Sequence, residues 1–541
     1  MKRLTALIIL LANFTGINAQ DVYHDYRSAW LNKCQQLMPE LHSIEKRPMR
    51  VVSMFPDAKA YQKVKAVQSD AIDAFYRTPL KRNEQKSVID FGEHITGSLH
   101  FRIESNIAAH APVRLKIKFA EMPAEMYASF DAYEGTLSQA WLQEEVITVH
   151  TLPADIALPG RYSFRYLKFE ILASAGDMEF YIRDVYCTAT SSAGADLLAT
   201  SAQWDEAFQA VSDVSIRTLR ECMQTVFEDG PKRDRRIWIG DLKLQALTNY
   251  YTFQNYDLVR RSLYLYAATA NENGLVYGTL FERPHPHPQQ HYPIDYCLLY
   301  NTVLFDYYEA TQDRATLEDL WIVAKYQVEN VLPFISGAGE FRPSDDWWYF
   351  IDWNDRLDKQ VALHGTVVYS LSKTWEIARL LGRENEVPGI PEMISRMKKF
   401  ARQNYLDKRT MLFLSGDERQ VSIASQVWMI LSQTVSKKEG KQLLQRIATA
   451  EKAVRPVSPY LYHYLVEAMI ACEMYREARA ILRDYWGGMI EKGADTFWEV
   501  YDPENDFVSP YGSHIMNSYC HAWSCTPVYF LRKYVDVLLP E

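Results

Sequence analysis

Two hydrophobic periods divide the chain. Between residues 50 and 192, segments such as SVIDFGEHITGSLHFRIES, VRLKIKFAEM, EEVITVHTL, RYSFRYLKFEIL and MEFYIRDVYC alternate apolar and polar positions. A period of two, broken by Gly, Pro and Asn turns, predicts antiparallel strands that each bury one face, and so an N-terminal antiparallel β-sandwich. After TATSSAGADLLAT, a small and polar stretch, the period lengthens to about 3.6. Helices are expected near 203–224, 256–272, 294–311, 313–333, 360–382 and 391–404, then near 419–434, 438–452, 460–472, 474–487 and 517–537. Ser201 and Ser458 stand where N-caps are needed. With one short segment after Gly240, roughly a dozen helices occupy residues 200–541, without the fixed short repeat of an open solenoid. A closed ring of antiparallel helix pairs, an all-α (α/α)6 barrel, fits this count and gathers its long loops around a cleft at one end.

The N-terminus follows neither period. Residues 1–19, MKRLTALIILLANFTGINA, place Lys2 and Arg3 before an apolar run from Leu4 to Ala12, with Ile17 and Ala19 at the −3 and −1 positions of a cleavage site. This is the pattern of a secretory signal peptide cut before Gln20, and the run is short for a membrane span. The expected product is exported to the periplasm or the exterior, without a transmembrane segment. Residues 20–49 read as a helical leader.

Charge and cysteine usage narrow the function. A net charge of −9 with no long basic run argues against nucleic acid as a partner. Seven scattered cysteines lack CxxC or metal spacing, so buried free thiols are expected rather than a disulfide framework; Cys520 and Cys525 could pair or face a core. His285, His287 and His291 alternate with Pro284, Pro286 and Pro288, which favour extended backbone over a zinc site. Phosphate-binding glycine loops and G-x-S-x-G elbows are absent, and no cofactor is implied. Aromatic residues make up 13% of the chain and suit either a large core or stacking on sugar rings.

Carboxylates beside aromatics mark the candidate chemistry. In EDGPKRDRRIWIGD, residues 228–241, Gly230-Pro231 stops a helix and holds Asp229, Asp234 and Asp241 on irregular backbone near Trp238. A carboxyl crowded by acids and apolar walls takes a raised pKa and can act as a general acid. Equally, Arg233, Arg235 and Arg236 could simply neutralise these acids in a rigid loop. RPSDDWWYFIDWNDRLD offers Trp348 and Trp353 as stacking planes and Asp352 as a hydroxyl acceptor, or an ordinary loop with aromatic anchors. Glu499 follows Trp498 and could equally end a helix, and His521 stands beside Trp523 before a long apolar run.

DGPKRDRRIWIGD resembles the D-C-P…W-x-G-D signature of the bacterial α-L-rhamnosidases of glycoside hydrolase family 78. ADTFWE is similar to the family's T-x-W-E and CHAWSCTPVYFL to its S-x-x-H-A-W segment; SVIDFGEHITGSLHFRI, VRLKIKFAEM and FRYLKFEI resemble strands of its sandwich. The resemblance spans residues 80–537 and implies hydrolysis of a terminal rhamnoside with inversion, by two opposed carboxyl groups typically about 6.5–9.5 Å apart. On this matching Asp234 is the general acid and Glu499 the general base. Asp229, Asp241 and His521 bind the sugar, and Trp238 walls its pocket; Trp348, Asp352, Trp353 and Trp498 join them as candidate contacts. The family acid is commonly Glu, and Asp234 is one methylene shorter. Counted from Asp229 along the family's longer loop form, that position falls on Arg235, a poor proton donor; counted back from Trp238 it falls on Asp234. A ring enzyme acting on another sugar, or a rhamnose-binding relative without turnover, are the alternative readings.

Overall fold

The computed structural model describes residues 21–82, 88–176, 178–194, 197–198, 204–289 and 292–539. The expected signal peptide, Ser201 and His291 lie outside the described residues.

Among the described residues nine strands form the N-terminal domain: β1 (His42–Lys46), β2 (Arg50–Pro56), β3 (Val64–Ala71), β4 (Val88–Ser105), β5 (Val113–Ala120), β6 (Glu144–Val149), β7 (Ala154–Ala157), β8 (Tyr162–Ser174) and β9 (Phe180–Ser191). All their pairings are antiparallel, in the order β1-β9-β4-β8-β5-β6, with β2 and β7 also on β4 and β3 on β2. The long strand β4 bends where Gly92 takes a φ of 84° and its register with β8 shifts between Asp90 and Ile95. That bend lets one strand pair first with β2 and then with β7 and β9, so the sheet wraps a core of Ile89, Leu99, Leu115, Ile117, Phe164 and Phe169. The expected helical leader is a helix only over His24–Gln36; β1 follows it. The helix packs on the helical domain, with Tyr23 Oη donating to Gly274 O, while β1 extends the sheet, so residues 21–46 tie the two domains together.

The helical domain is a ring of two layers. Helices Ile239–Tyr250, Ile294–Thr311, Gln360–Leu381, Ile423–Leu431 and Pro459–Ala471 touch in sequence, and the segment from Ala522 to Lys533 closes the circle against Ile239–Tyr250. Their composition suits that inner place: all of Ile239–Tyr250 is buried, as a helix packed on every side must be. Outer helices bury a stripe instead. Lys437–Ala448 buries Gly440, Leu443, Leu444 and Ile447, a spacing that covers one helical face.

The helix after Gly240 is a full inner helix rather than a short segment. In the expected helix 517–537, regular α structure starts only at Pro527. Upstream, the backbone bonds across the chain: His521 N donates to Phe497 O and Ala522 N to Asp229 O, so these groups cannot serve an α-helix. All seven cysteines are buried free thiols.

Candidate active site

The loop 228–236 enters the ring between Cys222 and Ile237. At Gly230 an added Cβ would lie 2.6 Å from Ser518 Oγ and 3.1 Å from Cys520 O, so this segment can approach 518–521 only without a side chain. Gly240 serves the same end, since a Cβ there would strike the Tyr296 ring. Between them Asp234 and Arg235 both adopt left-handed φ values, 61° and 52°. Two consecutive non-glycine residues in that region are strained, and the surrounding contacts must hold them there.

The result is a cavity of about 410 Å³ at the loop end of the ring. Asp229, Arg233, Asp234, Arg236, Trp238 and Asp241 line it from the first motif; Trp348, Phe350 and Trp353 come from the second, and Glu499, Tyr511, His521 and Trp523 from the C-terminal segments. Tyr296, Gln289 and Leu137 complete the wall. Leu137 belongs to the N-terminal domain, whose segment around Phe130 and Leu142 packs against Tyr511, Ile515 and Met516.

Charge is distributed unevenly around this hollow. Glu499 is buried, which alone would raise its pKa, but the Arg233 guanidinium, His521 and the Tyr511 hydroxyl hold its carboxyl below the usual glutamate range. Arg233 Nη2 and Tyr511 Oη both donate to it, as does Ser518 N at 3.1 Å. The opposite tendency governs Asp229. Burial first, then the neighbouring Asp234 and Asp241, push its pKa well up. Burial also raises Asp241, although His521 Nε2 lies 3.1 Å from its Oδ1. Asp234 sits between arginines, 3.0 Å from Arg236 Nη2 and 3.8 Å from Arg233 Nη1. Arg236 in turn donates to Gln289 and covers the Trp238 ring. The site therefore holds one carboxylate kept ionised and, on another wall, acids that favour keeping a proton. Trp353 Nε1 and His521 Nδ1 are buried and make no hydrogen bond to the protein, leaving polar groups for a polyol.

Two expected contacts are placed elsewhere. Asp352 does not line the cavity: its oxygens accept from Val457 N, Ser458 N and Ser458 Oγ at 2.5–3.0 Å, at the start of helix Pro459–Ala471. Trp498 lies in the core behind Glu499, stacked on Tyr61 at 4.4 Å and edge-on to Tyr519. Asp352→Ala would leave Val457 N, Ser458 N and Ser458 Oγ without their acceptor. We expect a loss of about 2–4 kcal/mol in urea unfolding with sugar affinity unchanged; a weakened sugar affinity would return Asp352 to the site.

Comparison with known proteins decides the family. Residues 199–535 match the bacterial alpha-L-rhamnosidase 6 hairpin glycosidase domain, and residues 48–189 match the glycosyl hydrolase family 78 alpha-rhamnosidase N-terminal domain. The chain belongs to the family 78 α-L-rhamnosidases. Like other members of that family it is a glycoside hydrolase acting on rhamnose. Among solved structures, the chain is similar to a rhamnosidase from Klebsiella oxytoca with rhamnose bound, at 38% identity and a TM-score of 0.91, covering 94% of this chain and 99% of that one. It shares the fold of the rhamnosidase from Bacillus sp. GL1, at 20% identity and a TM-score of 0.70 over 86% of this chain and 49% of that one. The Streptomyces avermitilis α-L-rhamnosidase complexed with L-rhamnose is 17% identical, with a TM-score of 0.61 over 92% and 44% of the two chains. A search of curated proteins found no match. Among the described residues no helix is long and apolar enough to cross a membrane.

Several lining residues escape a reading of the sequence. Arg233 looks like a neutralising charge, and Tyr511, Tyr296 and Leu137 sit in segments without a motif. Phe350 and Trp523 are visible only as neighbours of more polar candidates.

Proposed function

We propose that this rhamnosidase removes terminal α-L-rhamnose from plant-type or complex glycans by single displacement with inversion, and that it is exported by its N-terminal leader. The observation that carries the mechanism is that Glu499 is held ionised by Arg233 and Tyr511 on one wall of the cavity into which Asp234 also projects. Glu499 takes a proton from water as that water attacks the anomeric carbon. Asp234 gives a proton to the departing glycosidic oxygen on the other side. Asp229, Asp241 and His521 meet the sugar hydroxyls, while Trp238, Trp348 and Trp353 shape the walls. Burial and the neighbouring Asp234 and Asp241 hold the Asp229 pKa well above the usual carboxylate range, so it meets the sugar as a protonated carboxyl. Rhamnose bound to the Klebsiella relative supports the choice of sugar.

The Asp234–Arg236 pair, 3.0 Å apart, favours a second reading, in which Asp234 orients Arg236 and Asp229, another acid lining the cavity, gives the proton. The leaving-group dependence of Asp234→Asn and Asp229→Asn separates the readings, and proton NMR of an aryl α-L-rhamnoside digest tests the inversion. Single displacement releases β-L-rhamnose before mutarotation; first-formed α-L-rhamnose contradicts inversion. For export, N-terminal sequencing of protein recovered outside the cytoplasm should begin at Gln20; an intact leader on cytoplasmic protein removes that part of the proposal.

A further inference from the structure

The acids of the N-terminal domain that face the catalytic loop have no place in the chemistry above. Glu121 and Glu125, at the end of β5 and in the short helix Pro123–Tyr127, are 2% and 1% exposed and do not line the cavity. We propose that they are positioning residues: by fixing Lys232, the sheet domain sets Arg233 and Glu499 in register for turnover. The inference rests on Glu499 acting as the base.

The geometry forms a two-sided clamp. Lys232 Nζ pairs with Glu125 Oε1 and lies 3.8 Å from Glu121 Oε2. It also donates to Ile515 O and Asn517 O, both at 2.9 Å, so the three protons of the ammonium are all engaged. The next residue grips the carbonyl between them: Arg233 Nε donates to Met516 O at 3.1 Å, and its Nη2 reaches Glu499. Downstream the backbone alternates in the same way. Ser518 N donates to Glu499 Oε2 at 3.1 Å, and Tyr519 N donates to Glu121 Oε2 at 2.7 Å. Residues 515–519 are thus held from one side by the base and its arginine, and from the other by acids of the sheet domain.

The acids are themselves fixed. Glu125 Oε2 accepts from Glu121 N and Met122 N at 2.6 and 3.0 Å. Glu121 Oε1 accepts from Ser163 Oγ at 2.8 Å and faces His94 Nε2 at 3.0 Å. Neutral apolar residues could fill this volume without the desolvation cost that buried charges carry. What they could not do is hold the carbonyls of Ile515 and Asn517 at a fixed place beside the arginine that orients Glu499.

Steady-state hydrolysis of an aryl α-L-rhamnoside, L-rhamnose affinity by calorimetry and melting temperature would be compared for wild type, Lys232→Met and the double variant Glu125→Gln/Lys232→Met. Lys232→Met should lower both kcat and melting temperature, since it leaves Glu125 buried and unpaired. The double variant leaves no lone charge at position 125 and should regain most of the melting temperature. Its kcat should stay down by about 10- to 100-fold, the cost of a catalytic group displaced by an ångström, with rhamnose affinity little changed. A double variant that regains wild-type kcat along with its stability overturns the inference, as does one whose rhamnose affinity falls as far as its kcat. Wild-type-like turnover in Glu499→Gln sinks the base assignment, and this inference with it; the Lys232 variant results sink the inference alone.

Discussion

Glu499→Gln should lower kcat by about 10³- to 10⁴-fold while rhamnose still binds, because a carboxamide fills the same space but cannot take a proton from water. The magnitude follows from the task assigned to the side chain. In a single displacement the attacking water has no other base, and the neighbouring acids that hold their protons cannot replace it. With its carboxamide oxygen in the Oε2 place the variant would still accept from Ser518 N, and its amide nitrogen in the Oε1 place would donate to Tyr511 Oη, so the loss should appear in kcat rather than in sugar affinity. The pH profile gives an independent check. The Glu499 carboxyl is held below its ordinary value, about 4.3, so the acidic limb of wild-type kcat/KM assigned to it should lie below that pH. The stability supplied by the Glu499–Arg233 pair has the same sign: complete above the unfolded-state pKa, and lost as pH falls through the lower folded-state value. Rates for Glu499→Gln within about tenfold of wild type would remove Glu499 from the mechanism.

The two hydrophobic periods made both domains legible, because each helix or strand must bury a face whatever its partner. The site was legible only where a residue's role is set by its own neighbours in sequence. Gly230-Pro231 and the acids around them could be read, since a turn beside a tryptophan confines them locally. Asp352 and Trp498 could not. Asp beside Trp has the same composition whether the carboxylate faces a sugar or the backbone at Val457 and Ser458. Trp498 and Glu499 are neighbours in sequence yet face opposite ways, the carboxyl towards the cavity and the ring into the core, and no local pattern tells the two directions apart. Arg233 was visible as a charge, but its partner Glu499 lies 266 residues away and no local pattern announces the meeting. The same holds for Leu137, which reaches the cavity only because the sheet domain docks on the ring.

Asp234→Asn should separate the general acid from the merely polar wall through its dependence on the leaving group. A proton donor matters in proportion to how poorly the leaving oxygen carries negative charge. For an alkyl or sugar aglycone, which departs as a strongly basic alkoxide without help, the substitution should cost about 10³- to 10⁴-fold in kcat/KM. For a dinitrophenyl rhamnoside, whose phenolate is stable unprotonated, the loss should shrink to about tenfold or less. Asp229→Asn provides the contrast. If Asp229 only holds hydroxyls, its removal should weaken all substrates alike, because a sugar contact is the same whatever group departs. The pairing of Asp234 with Arg236 at 3.0 Å makes this comparison decisive. A short side chain gripped by an arginine could serve purely to orient Arg236 over Trp238, and then Asp234→Asn would lower every rate by the same factor. Should the steep leaving-group dependence appear in Asp229→Asn instead, the proton donor is the aspartate whose pKa burial raises, with Asp234 and Asp241 adding to it.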